Sequence, residues 1–136
     1  MKKLHFQPIK DKADEIIRAV ISTEEVSKCE KELFALRLVC DELIVNVVSY
    51  AYPENEDGYL DVEIEKTSQE ITLRFKDGGK PFNPLERKMP DINAPLEERQ
   101  IGGLGIFLTI KQMDSVNYEY TNGENVLTVK KTISSN

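Results

Sequence analysis

Strict alternation is the clearest pattern along this chain. From Tyr59 to Glu65, the apolar residues Leu60, Val62 and Ile64 interleave with Asp61, Glu63 and Glu65. Apolar residues at every second position predict a strand with one buried face. Glu70 to Lys76 alternates likewise through Ile71, Leu73 and Phe75, and Ser68-Gln69 marks the hairpin tip between the two. A second hairpin is predicted near the end, where Val116–Thr121 and Val126–Thr132 flank Asn122-Gly123, the dipeptide that suits a two-residue β-turn. Leu4 to Ile9 reads as a short first strand that stops near Pro8.

Elsewhere the period lengthens. From about Lys10 to Ser22, residues Ala13, Ile16, Ile17, Val20 and Ile21 recur at helical spacing, and a polar stretch around Ser22–Lys28 breaks the pattern. A longer helix is predicted from about Cys29 to Tyr50, with Leu36, Val39, Cys40, Leu43 and Val47 on its apolar stripe. Pro53, Asn55 and Gly58 end it in a turn. Leu104 to Met113 reads as a third helix. Between them, Gly78 to Gly103 has little periodicity and is interrupted by Pro81, Pro84, Pro90 and Pro95. A loop of that length inside a small domain is usually functional. The order β-α-α-β-β-loop-α-β-β predicts an α+β fold: a single-domain two-layer sandwich over residues 1–136, with a mixed, mainly antiparallel sheet covered on one face by helices.

The 136 residues suit one domain, and 40% hydrophobic content is enough for a core. With 18 Lys+Arg against 24 Asp+Glu, the formal net charge is -6. An acidic chain without a basic run argues against direct nucleic-acid binding, and any nucleotide site in it needs local compensation from Mg²⁺ or backbone N–H groups. Lys2 and Lys3 are followed by no apolar run, so neither a signal peptide nor a membrane span is expected and the chain reads as cytoplasmic. Cys29 and Cys40 lack CxxC spacing and read as reduced core thiols. His5 is the single histidine, which excludes a multi-histidine metal site or a Ser-His-Asp triad built within one chain.

Three segments carry candidate chemistry. Glu42 and Asn46 are four apart on the long helix and share a face beside Leu43 and Val47, at the edge of the core. A carboxylate there can take a proton from an attacking hydroxyl, and an amide oxygen can hold Mg²⁺, which prefers few protein ligands plus phosphates and water. Asp77-Gly78-Gly79 directly follows a strand, so Asp77 can accept a hydrogen bond from an exocyclic amine while the glycines let the backbone approach a ligand. Gly102-Gly103-Leu104-Gly105 opens a helix whose free N–H groups suit a phosphate. Taken singly, these segments also fit a solvated helix face, a plain tight turn and a hinge that caps a helix. No G-x-x-x-x-G-K-[ST] is present, and G-G-L-G lacks dinucleotide spacing. Tyr118 and Tyr120 alternate on a strand and read as sheet packing, while Tyr50 and Tyr52 close the long helix.

Taken together, the three segments carry a resemblance. Glu42-x-x-x-Asn46 with Tyr50-Ala51-Tyr52 resembles the N box of the ATPase superfamily of gyrase B, Hsp90, histidine kinases and MutL. Asp77-x-Gly79-x-Pro81-Phe82 resembles its first glycine box, and Gly103-x-Gly105-Ile106-Phe107-Leu108 its second. Order, spacing and length are most similar to the bacterial anti-sigma-factor serine kinases. The resemblance implies the Bergerat ATP-binding fold with ATP and Mg²⁺ as cofactors. It implies Glu42 as general base, Asn46 on Mg²⁺ and Asp77 on the adenine amine. Gly79, Gly103, Leu104 and Gly105 complete the cofactor set, under a lid at about 83–102. It further implies a sigma factor and a STAS-domain anti-anti-sigma protein as partners, and a homodimer. Two positions depart from the pattern. Ser49 and Tyr50 stand where a basic residue or histidine is frequent, which leaves a phosphate contact to Lys80 or Arg99, and Asn125 stands where the last hairpin often offers a threonine.

The expected function is therefore an anti-sigma factor that phosphorylates the anti-anti-sigma protein on serine. The departures motivate an alternative, a nucleotide-gated anti-sigma module without significant kinase turnover. A histidine-kinase catalytic domain is less favoured, because no dimerisation helix with a phosphoacceptor histidine precedes the first strand and His5 lies too near the start.

Overall fold

The computed structural model describes residues 1–8, 12–48, 52, 58–83 and 111–133. Five strands form one sheet in the order β1-β2-β3-β5-β4, with β1 Lys2–Phe6, β2 Leu60–Lys66, β3 Glu70–Asp77, β4 Ser115–Thr121 and β5 Glu124–Thr132. Every pairing among them is antiparallel, so the parallel component of the expected mixed sheet is absent among the described residues.

The alternation read from the sequence is the register of burial. Leu60, Val62 and Ile64 on β2, and Ile71, Leu73 and Phe75 on β3, are buried. The opposite face carries charge. There Glu63 accepts hydrogen bonds of 3.1 Å from both Arg74 and Lys76. Burial alone would push the Glu63 carboxyl up, but these two cations outweigh it and hold the group below its ordinary range.

The β4–β5 hairpin turns at Asn122 and Gly123, both with positive φ (54° and 77°), as an Asn-Gly turn requires. At the β2–β3 tip, Thr67 Oγ1 accepts the N–H groups of Gln69 and Glu70 at 3.1 Å each. Both hairpins match expectation. The first strand is Lys2–Phe6, which begins and ends earlier than the expected Leu4–Ile9.

Helix α1, Ala13–Ile21, buries Ile16, Ile17 and Val20, and its ends are charged to suit the helix dipole, with Asp14 and Glu15 first and Arg18 last. The stretch Ser22–Lys28, expected only to break the pattern, contains a turn of helix, α2 Glu24–Ser27. Thr23 starts it by accepting the Val26 N–H at 3.4 Å, and a threonine before two glutamates was a legible N-cap signal. Helix α3, Leu33–Asn46, starts later than the expected Cys29 and buries Leu36, Val39, Cys40 and Leu43. The backbone widens into a π turn at Val47 and Val48, directly after Asn46. Such turns are frequent beside functional groups.

The core lies between these helices and the sheet. Lys111 and Gln112 are helical, and the Lys131 ammonium ties β5 to the Gln112 carbonyl at 2.6 Å. The expected lid at about 83–102, apart from Asn83, and the expected helix from Leu104 to Ile110 lie outside the described residues. Among the described residues, no helix is long and apolar enough to cross a membrane.

Candidate nucleotide site

A cavity of about 260 Å³ opens between the end of α3 and the central strands. Leu43, Val47, Phe75 and Leu127 supply apolar walls, while Asn46, Asp77, Lys80, Tyr118 and Asn125 bring polar groups to it. Apolar walls with a few placed polar groups are the usual make-up of a small-molecule site.

The sheet register creates this arrangement. Asp77 ends β3 and faces Asn125 at the start of β5. Both residues are on the inward side of their strands, continuing the buried rows Leu73–Phe75 and Leu127–Val129, so both polar side chains are buried, at 7% and 6% exposure. Asp77 Oδ1 accepts the Gly79 N–H at 2.9 Å and the Asn125 amide at 3.0 Å. Burial pushes the Asp77 carboxyl above its ordinary range, with these two donors opposing and the Glu124 charge adding to the rise.

Asn46 reaches the same cavity from α3. Its Nδ2 is buried without a hydrogen-bond partner among the described residues. A buried, unpaired amide costs about 1–3 kcal/mol, so such an atom beside a cavity marks a place for a ligand. Exchanging the amide oxygen and nitrogen leaves an unpaired acceptor there instead, the form that suits Mg²⁺. The residues present therefore fit a Mg-nucleotide: an acceptor for a base amine, apolar walls for a ring, and an unsatisfied amide. Lys80, exposed at the cavity, adds a positive charge on an acidic chain.

The structure thus brings Asn46, Asp77 and Gly79 together. Glu42 sits one turn before Asn46 on α3, half-buried, and is not among the residues lining the cavity. Burial, then the charge of Asp41, pushes its carboxyl up. Gly103, Leu104 and Gly105, like Ser49, Tyr50 and Arg99, lie outside the described residues. His5 is not among the residues lining the cavity; it is paired with Asp61 and stacked on Tyr59 at 6.2 Å.

Two contributions were underread in the sequence. Tyr118 is a cavity residue rather than simple sheet packing; its hydroxyl donates to Asn125 Oδ1 and accepts the Phe82 N–H at 3.2 Å. Asn125 is the centre of the polar network rather than a mere replacement. The signal was present: Asn125, Leu127 and Val129 alternate, which places an amide on the core side of the strand.

Residues 9–131 match the family described as histidine kinase-like ATPase domain. The chain belongs to that family. Within it, the chain is 29% identical over 96 residues to the serine/threonine-protein kinase BtrW of Bordetella bronchiseptica, covering 71% of this chain and 68% of that protein. It is 33% identical over 99 residues to the serine-protein kinase RsbW of Listeria monocytogenes, covering 70% of this chain and 63% of the relative. It is 25% identical over 133 residues to the anti-sigma F factor of Clostridium beijerinckii, covering 82% and 93%. Two of these relatives are named as protein kinases and the third as an anti-sigma factor.

Proposed function

We propose that this protein binds Mg-ATP in the cavity beside α3 and acts as a protein serine kinase and anti-sigma factor. On this reading it holds a sigma factor and phosphorylates a STAS-type anti-anti-sigma protein on serine. The observation that carries it is the meeting of the unpaired Asn46 amide and the Asp77 carboxylate at one apolar-walled cavity. The names of the relatives support the protein class.

When bound, Mg-ATP supplies the transferable phosphoryl group together with the ion that neutralises its charge. The residues of the chain hold and orient. Asp77 accepts the adenine amine. Leu43, Val47, Phe75 and Leu127 exclude water from the ring. Asn46 directs its amide oxygen to Mg²⁺, and Lys80 offers a cation for the phosphates. Glu42 accepts the proton of the serine hydroxyl, and its raised pKa brings it nearer the working pH of a base. Gly103, Leu104 and Gly105 add backbone N–H groups to the phosphate cradle, under a lid at about 83–102. One domain over residues 1–136, paired as a homodimer in the cytoplasm, completes the proposal.

The test is transfer of label from Mg-ATP to STAS-domain proteins of the same organism, beside a Glu42→Ala control. Label on a partner serine that is absent in the control supports the kinase. A second reading, a nucleotide-gated anti-sigma module without turnover, is favoured by the position of Glu42 outside the cavity lining. It expects ATP-dependent capture of the partner with no phosphoprotein formed.

A further inference from the structure

Glu42 stands on a border of α3. On a helix surface, the neighbours of a residue are those three and four positions away, so Glu42 is surrounded by Leu38, Val39, Val45 and Asn46. Val39 is buried in the core and Asn46 lines the cavity. Leu38 is half-buried and Val45 is exposed. The candidate base therefore has the cavity on one side and an outward apolar pair on the other.

That pair belongs to a longer ridge. Phe34 is four positions before Leu38 and eleven before Val45, close to whole turns, so the three side chains run along one face of the helix. Phe34 is 76% exposed and Val45 42%. An exposed apolar residue standing singly needs no explanation. Here an aromatic and two aliphatic side chains are in line, and two of them adjoin Glu42. Arg37, exposed, and Asp41, half-buried, border the ridge on the side away from Glu42. An apolar centre with a polar rim is the anatomy of a protein–protein contact.

We infer that the ridge of Phe34, Leu38 and Val45 is the docking surface for the protein that carries the acceptor serine. The inference rests on the kinase reading above and adds to it the surface that holds the protein substrate. A hydroxyl can give its proton to Glu42 only if the protein bearing it covers the surroundings of Glu42. A specific interface covers about 800 Å² on each partner, a patch roughly 30 Å across. Phe34 lies about 12 Å from Glu42 along the helix axis and Val45 less than one turn away, so a contact centred on Glu42 spans the ridge. The same placement argues against other occupants. A second copy of the chain seated there would cover Glu42 and close the site, and a sequestered sigma factor has no need to reach the base.

The experiment is steady-state phosphotransfer by the full chain from Mg-ATP to the purified STAS-domain protein that takes label in the test above, with the concentration of that protein varied. The variants are Phe34→Ser and Val45→Ser, with ATP affinity measured by calorimetry and folding by thermal melting. Phe34→Ser should raise the KM for the acceptor protein about tenfold, the scale of an aromatic interface anchor, while kcat and the ATP dissociation constant hold. A change in KM without one in kcat marks binding rather than chemistry. Val45→Ser should act in the same direction. Exposed positions tolerate substitution; should Phe34→Ser nonetheless not fold, Phe34→Gln removes the same ring and carries the same expectation. An unchanged acceptor KM in the Phe34 variant overturns the inference and leaves the kinase reading standing, as does a loss confined to kcat or ATP affinity. Loss of sigma-factor capture, or of a dimer on gel filtration, with the acceptor KM unchanged gives the ridge to that occupant instead. No label on any STAS-domain protein with the unaltered chain overturns both readings.

Discussion

The Tyr52 hydroxyl accepts the N–H of Gly78 at 2.7 Å and so ties the segment after α3 to the turn that follows Asp77. The same oxygen donates to the Tyr59 carbonyl at 2.8 Å and accepts the Tyr59 N–H at 3.1 Å. Burial pushes this hydroxyl's pKa up, so it remains a neutral donor and acceptor at neutral pH. Tyr52→Phe would strand three backbone groups. The expected loss is about 1–3 kcal/mol of stability, with weaker ATP binding because the Asp77 turn loosens. Thermal melting and calorimetry check the two effects.

Gly58 supports the same tyrosine by closeness. A Cβ at Gly58 would fall 2.3 Å from the Tyr52 ring. Gly58→Ala therefore has to displace that ring, and its melting temperature should drop with Tyr52→Phe rather than add to it, since both act on one contact set. Additive losses in the double variant would refute the shared mechanism.

Glu42 stands outside the cavity lining while Asn46 stands within it. Glu42→Ala should leave the ATP dissociation constant within about twofold and lower phosphotransfer by about 10²–10⁴-fold, the range of general-base catalysis. Transfer at the original rate would remove Glu42 from that role.

Asp77 must be ionised to accept a base amine. Its folded pKa is raised, chiefly by burial, with Glu124 nearby adding to the rise. Affinity for ATP should accordingly be full above that raised pKa and fall as pH drops through it, at higher pH than for an exposed aspartate. The sign for stability is opposite: the folded protein binds this proton more tightly than the unfolded chain, so this group adds stability on acidification and loses it as pH rises. A calorimetric pH series set beside melting curves separates the two trends.

Cys40 is fully buried, and burial pushes its thiol up to about 12. Thiolate is the reactive form. Cys40 should resist alkylation at pH 8 in the folded protein and react once denatured, which mass spectrometry of timed samples can follow.

Much of the site was legible because it depends on local spacing. Four residues of helix put Glu42 and Asn46 on one face, and a strand ending in Asp77-Gly78-Gly79 marks a turn at that strand's end. What was missed depends on partners distant in sequence. Tyr118 read as packing because alternation cannot show that its hydroxyl meets Asn125 across the hairpin. The α2 turn was missed because apolar periodicity says little about a helix of four residues, although Thr23 announced its start.

By itself the sequence determined which residues face inward, since periods of 2 and 3.6 follow from backbone geometry alone. It also determined the two hairpins, because Asn-Gly and Ser-Gln turns act over a few residues. Only the tertiary structure decided that β5 lies between β3 and β4, which sets Asp77 opposite Asn125. That pairing joins residues 48 positions apart. No local propensity encodes it, because it arises when burying the apolar faces of all the strands leaves one arrangement in which both polar side chains are satisfied.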